Sequence, residues 1–117
     1  MSKTTIYHNP RCTKSRETLA LVKDQGAEIE IIEYLKNPPS AEELDNILNG
    51  LGKEPIELMR VKEKLFKDLG LTKKDDRPRA EWIQIMVDNP KLIERPVVVH
   101  QGKYALGRPP ESILEIF

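Results

Sequence analysis

The stretch Thr4-Thr5-Ile6-Tyr7-His8-Asn9-Pro10-Arg11-Cys12 governs how the rest of the chain is read. From Thr4 to Tyr7 its residues are β-branched or aromatic, types that favour an extended backbone. Asn9-Pro10 breaks that strand, because proline donates no backbone hydrogen bond and turns the residue before it away from the helical region. Strong helix formers fill Thr13 to Gln25, and Gly26 follows as a natural residue for the left-handed turn after a helix. From Glu28 to Tyr34 the chain alternates Glu28 and Glu30 with Ile29 and Ile31 before running apolar, a strand pattern stopped by Asn37-Pro38-Pro39. Strand, helix and strand make a βαβ unit, for which right-handed parallel pairing is the rule.

Further along, Ser40-Ala41-Glu42-Glu43 has the spacing of a capping box, and Leu44, Ile47, Leu48 and Leu51 follow as an apolar stripe before Gly52. Pro55 is placed to open a short helix through Arg60, and Glu63 to Leu69 reads as another turn or two before Gly70. Arg79 to Asn89 predicts a helix with Trp82, Ile85 and Met86 on one face, closed by Pro90. Val97-Val98-Val99-His100, the turn Gln101-Gly102 and Lys103-Tyr104-Ala105-Leu106 predict an antiparallel hairpin. Pro109-Pro110 then start a last amphipathic helix that ends at Phe117. The fold class expected is α/β and thioredoxin-like: a four-stranded mixed sheet flanked by helices, with a helical insertion between the βαβ and ββα units. One domain is expected to cover 1–117.

Composition narrows the function. The 117 residues carry 19 Lys+Arg against 19 Asp+Glu, a formal net charge of zero, with 38% hydrophobic and 32% charged residues. A chain of this length buries roughly 65% of the surface its unfolded form exposes, enough for a core without staples. Zero net charge removes the term that drives general nucleic-acid binding, so no nucleic-acid partner is expected. The N-terminus lacks the apolar run of a signal peptide and no stretch reaches the length of a membrane span, so a cytoplasmic protein with no membrane association is expected. The single cysteine, Cys12, cannot form an intramolecular disulfide or a multi-thiolate metal site, and suits a reducing compartment.

Cys12 falls between the first strand and the first helix, where unpaired N–H groups and the helix dipole favour an anion. Arg11, Lys14 and Arg16 add positive charge, and His8 lies just upstream. Helix N-termini and cations lower thiol pKa values, so Cys12 is a candidate nucleophile, against the reading of an isolated cysteine as a small buried hydrophobe. Cys12-Thr13-Lys14-Ser15 is C-x-x-S, a redox motif with its second sulfur replaced by oxygen. Ser15 cannot resolve a mixed disulfide; its hydroxyl is able to donate to the thiolate or an oxyanion, or to serve as a plain first-turn serine. A cysteine-phosphatase loop, C-x5-R, needs arginine where Thr18 stands.

Arg60 ends the short helix after Pro55, Arg95 precedes Pro96, and Arg108 precedes Pro109-Pro110. Guanidinium forks match tetrahedral oxyanions bidentately, although each arginine alone reads as solvated surface charge. In a thioredoxin-like sheet the loop bearing a cis-proline lies beside the nucleophilic helix start, which would bring Arg95, and with it Arg108, towards Cys12, with a cis Pro96 as a hypothesis. His8 is read as strand-end packing or as a group tuning Cys12, and His100 as a surface hairpin residue. Neither has partners at metal-ligand spacing, so no metal site is expected. The Leu44 to Leu51 stripe and Trp82 are expected in the core.

Ile6-Tyr7-His8-Asn9-Pro10-Arg11-Cys12 with Ser15-Arg16 and Thr18-Leu19, then Tyr34-Leu35, Pro38-Pro39, Leu58-Met59-Arg60, Asp88-Asn89-Pro90, Glu94-Arg95-Pro96-Val97-Val98-Val99 and Gly107-Arg108-Pro109, resemble the glutaredoxin-coupled arsenate reductase (ArsC) family. Within it the match is to the short YfgD-like bacterial members. The resemblance implies a thioredoxin-like fold, Cys12 as nucleophile, Arg60, Arg95 and Arg108 as ligands of the arsenic oxyanion, His8 lowering the thiol pKa and Ser15 assisting the thiolate. It implies arsenate as substrate, no bound cofactor, and external glutathione and glutaredoxin to complete the reduction, since the chain has no second thiol. Two alternatives stand beside it: a glutathione-dependent monothiol oxidoreductase, and an Spx-like regulatory binding module, whose C-x-x-C switch Ser15 here removes. A monomer is the default expectation.

Overall fold

The computed structural model describes residues 3–26 and 28–117. In chain order the elements are β1 (Lys3–His8), α1 (Thr13–Asp24), β2 (Glu28–Glu33), α2 (Ala41–Leu51), α3 (Lys64–Asp68), α4 (Arg79–Asp88), β3 (Val97–His100) and β4 (Lys103–Leu106). Pro55–Leu58, Pro90–Leu92 and Pro110–Ile116 are 3₁₀ turns. The chain forms two compact units, one made by the segment up to Asn37 together with Arg95–Phe117, the other by Pro38–Glu94.

The first unit holds a sheet of order β2-β1-β3-β4. β1 pairs parallel with β2, placing Ile6 opposite Ile31, and antiparallel with β3, placing Tyr7 opposite Val97. β3 pairs antiparallel with β4, so that Val97 also faces Leu106. This is the expected thioredoxin-like mixed sheet, with β1 buried by a neighbour on each side. Ile6, Val22, Val98, Ala105 and Ile113 form its apolar core, and Leu19, Leu21, Ile29 and Ile116 pack against them.

Two expectations in this unit need correction. The last element is a 3₁₀ run instead of an α-helix. Pro109 and Pro110 offer no N–H, and Ser112 N–H reaches the Pro109 carbonyl at 3.0 Å, an i to i+3 bond. Three residues per turn put Ile113 and Ile116 on one side, which suits an apolar pair spaced by three. His100 is not a surface residue either. It is half-buried, its Nδ1 lies 2.8 Å from the Thr4 hydroxyl, and its ring stacks on Phe117 at 4.2 Å.

In the second unit the capping box forms as its spacing predicts: Glu43 N–H donates to Ser40 Oγ at 3.1 Å and Ser40 N–H to Glu43 Oε1 at 3.0 Å. Gly52 ends α2 in the left-handed region, at φ 66°. Leu44, Ile47 and Leu48 are buried and Leu51 is half-buried. On α4 the buried residues are Trp82, Ile83 and Met86, with Ile85 only half-covered. Because α4 packs against α2 and the 3₁₀ turns at Pro55–Leu58 and Pro90–Leu92, its apolar face is rotated towards Ile83. The helix expected from Pro55 to Arg60 is the shorter 3₁₀ turn Pro55–Leu58, and Arg60 lies beyond it.

Ile113 is 0% exposed, so Ile113→Ala is expected to cost about 2–5 kcal/mol, against about 1 kcal/mol for Ser40→Ala at an exposed cap. Urea denaturation of both variants checks the ranking; equal losses would contradict the placement of Ile113 in the core.

Candidate active site

Sheet register brings the chemistry together. Tyr7, Val97 and Leu106 align across β1, β3 and β4, so their neighbours His8, Pro96 and Gly107 lie at the same end of the sheet. Gly107 N–H continues the ladder by donating to the Pro96 carbonyl at 2.8 Å. The Arg95-Pro96 and Arg108-Pro109 peptide bonds are both cis.

From β1 the chain turns through a short loop into α1. Arg11 N–H donates to Asn9 Oδ1 at 3.1 Å and Cys12 N–H to the Asn9 carbonyl at 3.0 Å, the local bonding that makes asparagine a turn former. Arg16 reaches back from α1, donating from Nη1 to the Pro10 carbonyl at 2.8 Å and from Nη2 to Thr13 Oγ1 at 3.3 Å. Arg16 therefore holds the loop, a task its reading as a nearby positive charge did not include. The Arg11 and Lys14 side chains are exposed.

Cys12 occupies the N-cap of α1 with extended backbone, φ −98° and ψ 124°. Serine, threonine or aspartate in that position accepts N–H bonds from the first turn. The Cys12 side chain makes no capping bond of standard geometry, yet the polarity of the first-turn N–H groups still acts on its sulfur. Partial burial pushes the thiol up. Against it stand the Ser15 N–H, the Arg95 charge, the Lys14 N–H and a hydrogen bond from Arg95, and together they bring the thiol below its ordinary pKa.

His8 and Ser15 form a buried pair beside this loop. His8 Nδ1 lies 2.6 Å from Ser15 Oγ, which also accepts the Asn9 N–H at 3.0 Å. Burial lowers the His8 pKa, Glu33 partly restores it, and Arg16 and Lys23 lower it further. A neutral imidazole follows at neutral pH. Its link to the nucleophile runs through the Ser15 and Asn9 hydrogen bonds, which orient the loop, and not through positive charge.

Arg108 is exposed and donates from Nη1 to the Arg95 carbonyl at 3.2 Å. The first unit thus gathers Cys12, His8, Ser15, Arg95 and Arg108. Arg60 belongs to the second unit, where its guanidinium lies 3.0 Å from Glu63 and 3.9 Å from Glu94, and its N–H bonds the Leu92 carbonyl at 2.7 Å. Among the described residues no group of three or more His, Cys, Asp or Glu is placed to hold a metal ion, and no helix is long and apolar enough to cross a membrane.

The sequence and fold have counterparts among known proteins. The family model described as ArsC family matches residues 7–116. The chain belongs to the ArsC family. Protein YfgD of Escherichia coli (strain K12) is 54% identical over 112 residues, covering 95% of this chain and 93% of that protein. A protein named arsenate reductase in Neisseria meningitidis serogroup A is 43% identical over 117 residues, with 97% of each covered. The solved structure named arsenate reductase from Vibrio cholerae superposes with a TM-score of 0.92 at 46% identity over 98% of each chain. The ArsC resemblance drawn from the motifs is thus shown.

The His8 shift gives this ArsC chain a pH dependence of defined sign. A histidine whose folded pKa lies below its unfolded value adds stability that is full above about 6.5 and is lost as pH falls through the lower folded value. Urea midpoints followed downward from neutral pH are expected to fall more steeply in the wild type than in His8→Gln. Parallel curves would show that His8 is not buried in its neutral form.

Proposed function

We propose that this protein is an arsenate reductase of the glutathione- and glutaredoxin-dependent kind, with Cys12 as its nucleophile. The observation that carries this reading is the Cys12 thiol at the N-cap of α1, held below its ordinary pKa by the Ser15 N–H and by Arg95, a cation able to stabilise both a thiolate and an oxyanion brought against it. The names of the Neisseria and Vibrio relatives supply the oxyanion, arsenate.

In this reading Arg95 and Arg108 bind arsenate through guanidinium forks. The Cys12 thiolate attacks arsenic, an arsenate oxygen leaves as water or hydroxide, and a sulfur–arsenic bond forms. Glutathione brings the second sulfur. Arsenic passes from the pentavalent to the trivalent state by taking two electrons from the two sulfurs, which depart joined as a mixed disulfide. Glutaredoxin then returns Cys12 to the thiol, a step the chain cannot perform itself because Cys12 is its one cysteine. His8 and Ser15 enter as the pair that sets the loop. No cofactor is bound in this scheme; glutathione is a co-substrate, the chain acts as a monomer and a single domain, and the reducing cytoplasm is its compartment.

Arsenate-dependent NADPH consumption in the presence of glutathione, glutaredoxin and glutathione reductase tests the reading. The wild type is expected to turn over, Cys12→Ser to fall to background, and Arg95→Ala to lose on the order of 100-fold in kcat/KM. A wild type that exchanges glutathione disulfides but never consumes arsenate would contradict the proposal in favour of a monothiol oxidoreductase. Inertness in both assays, with capture of RNA polymerase that Cys12→Ser leaves unchanged, would contradict it in favour of a regulatory module.

A further inference from the structure

Where the two arginine-bearing segments meet α1, the chain packs too closely for any side chain. A β-carbon at Gly107 would lie 2.6 Å from Thr18 Oγ1, 2.8 Å from Pro96 Cγ and 2.9 Å from Thr18 Cγ2. Gly107 is not in the left-handed region, so the requirement for glycine is one of space alone. Thr18 has no room to yield. It is 0% exposed, its Oγ1 is held by donation to the Lys14 carbonyl at 2.8 Å, and its branched β-carbon presents a second atom to the same contact. On the facing side, the Gly107 N–H is tied to the Pro96 carbonyl at 2.8 Å, and Arg108 to the Arg95 carbonyl at 3.2 Å.

We infer that Gly107 and Thr18 are positioning residues: their direct backbone-to-side-chain contact seats the Arg95-Pro96 and Gly107-Arg108 segments on α1 and so fixes the Arg95 guanidinium against the Cys12 sulfur. Thr18 lies less than two helical turns from Cys12 along a rigid helix, so the distance from this contact to the nucleophile is set by α1 itself. Close-packed interiors transmit such displacements, and misplacement by about 1 Å costs on the order of 100-fold in a reaction that depends on alignment. The inference deepens the proposed function, since Arg95 serves there as both thiolate partner and oxyanion ligand.

The test is the pH dependence of iodoacetamide alkylation at Cys12, which needs no arsenate and therefore stands or falls separately from the choice of substrate. Gly107→Ala adds one methyl group at the contact. It is expected to raise the alkylation midpoint towards that of Arg95→Ala, with circular dichroism unchanged, and to lower kcat/KM for arsenate on the order of 100-fold if arsenate is the substrate. The double variant Gly107→Ala with Thr18→Ala removes two of the three atoms that crowd the new methyl and leaves only Pro96 Cγ at 2.8 Å, so its midpoint is expected to return part of the way towards the wild-type value, a non-additivity that only a direct contact produces. A Gly107→Ala protein that keeps the wild-type midpoint overturns the inference, as does a double variant that gains nothing over the single one. Should Gly107→Ala fail to fold, a folded double variant supports the contact and an unfolded one overturns it.

Discussion

Antiparallel pairing of Tyr7 with Val97 and of Val97 with Leu106 makes three chain segments end at one edge of the sheet, and the rest of the site depends on that alignment. Cys12 follows the end of β1, Arg95 and Pro96 precede β3, and Gly107 and Arg108 follow β4. A shift of one residue in either pairing would turn every strand side chain to the opposite face and put Ile6 and Val98, both 0% exposed, into water. The apolar core therefore enforces the register, and the register places the arginines. Stability and chemistry share one set of contacts in this unit.

At that edge the thiol sits in a balance of opposing effects. Partial burial favours the neutral sulfur, while first-turn N–H groups and Arg95 favour the anion and outweigh it. The Ser15 N–H is the largest single influence towards the anion, and Arg95 follows it from a segment remote in sequence, acting both as a charge and as a hydrogen-bond donor. The His8–Ser15 pair keeps the loop shaped without contributing charge, since a buried imidazole that stays neutral adds only its hydrogen bond. Arg16, which looked like part of the electrostatic field around the thiol, closes the loop onto the Pro10 carbonyl. Proximity in sequence marked Arg16 as a charge near the thiol, and the folded loop gives it a hydrogen-bonding task as well.

Local signals carried much of the fold. Period-two alternation marked Glu28–Glu33, the Asn9-Pro10 break set the cysteine at a helix start, and Ser40 with Glu43 announced the capping box that forms. What stayed hidden depends on tertiary contact. The burial of Ile83 in place of Ile85 follows from which neighbours α4 meets, not from α4 itself. His100 gains Thr4 and Phe117 only once β1, β3 and the last turn are assembled. Gly107 entered the sequence reading only as part of the Gly107-Arg108-Pro109 motif, because nothing in sequence shows that Thr18 and Pro96 leave its α-carbon no room for a substituent. Arg60 was grouped with the other arginines by motif, and the structure assigns it to the unit formed by Pro38–Glu94.

Folding lowers the pKa of the Cys12 thiol. Because this is the one thiol in the chain, its ultraviolet thiolate absorbance can be titrated without interference from another cysteine, once in the native protein and once in concentrated urea. The native midpoint is predicted to lie below the unfolded one, by the combined effect of Arg95 and the first-turn N–H groups over burial. Coincident midpoints, or a native value above the unfolded one, would contradict it.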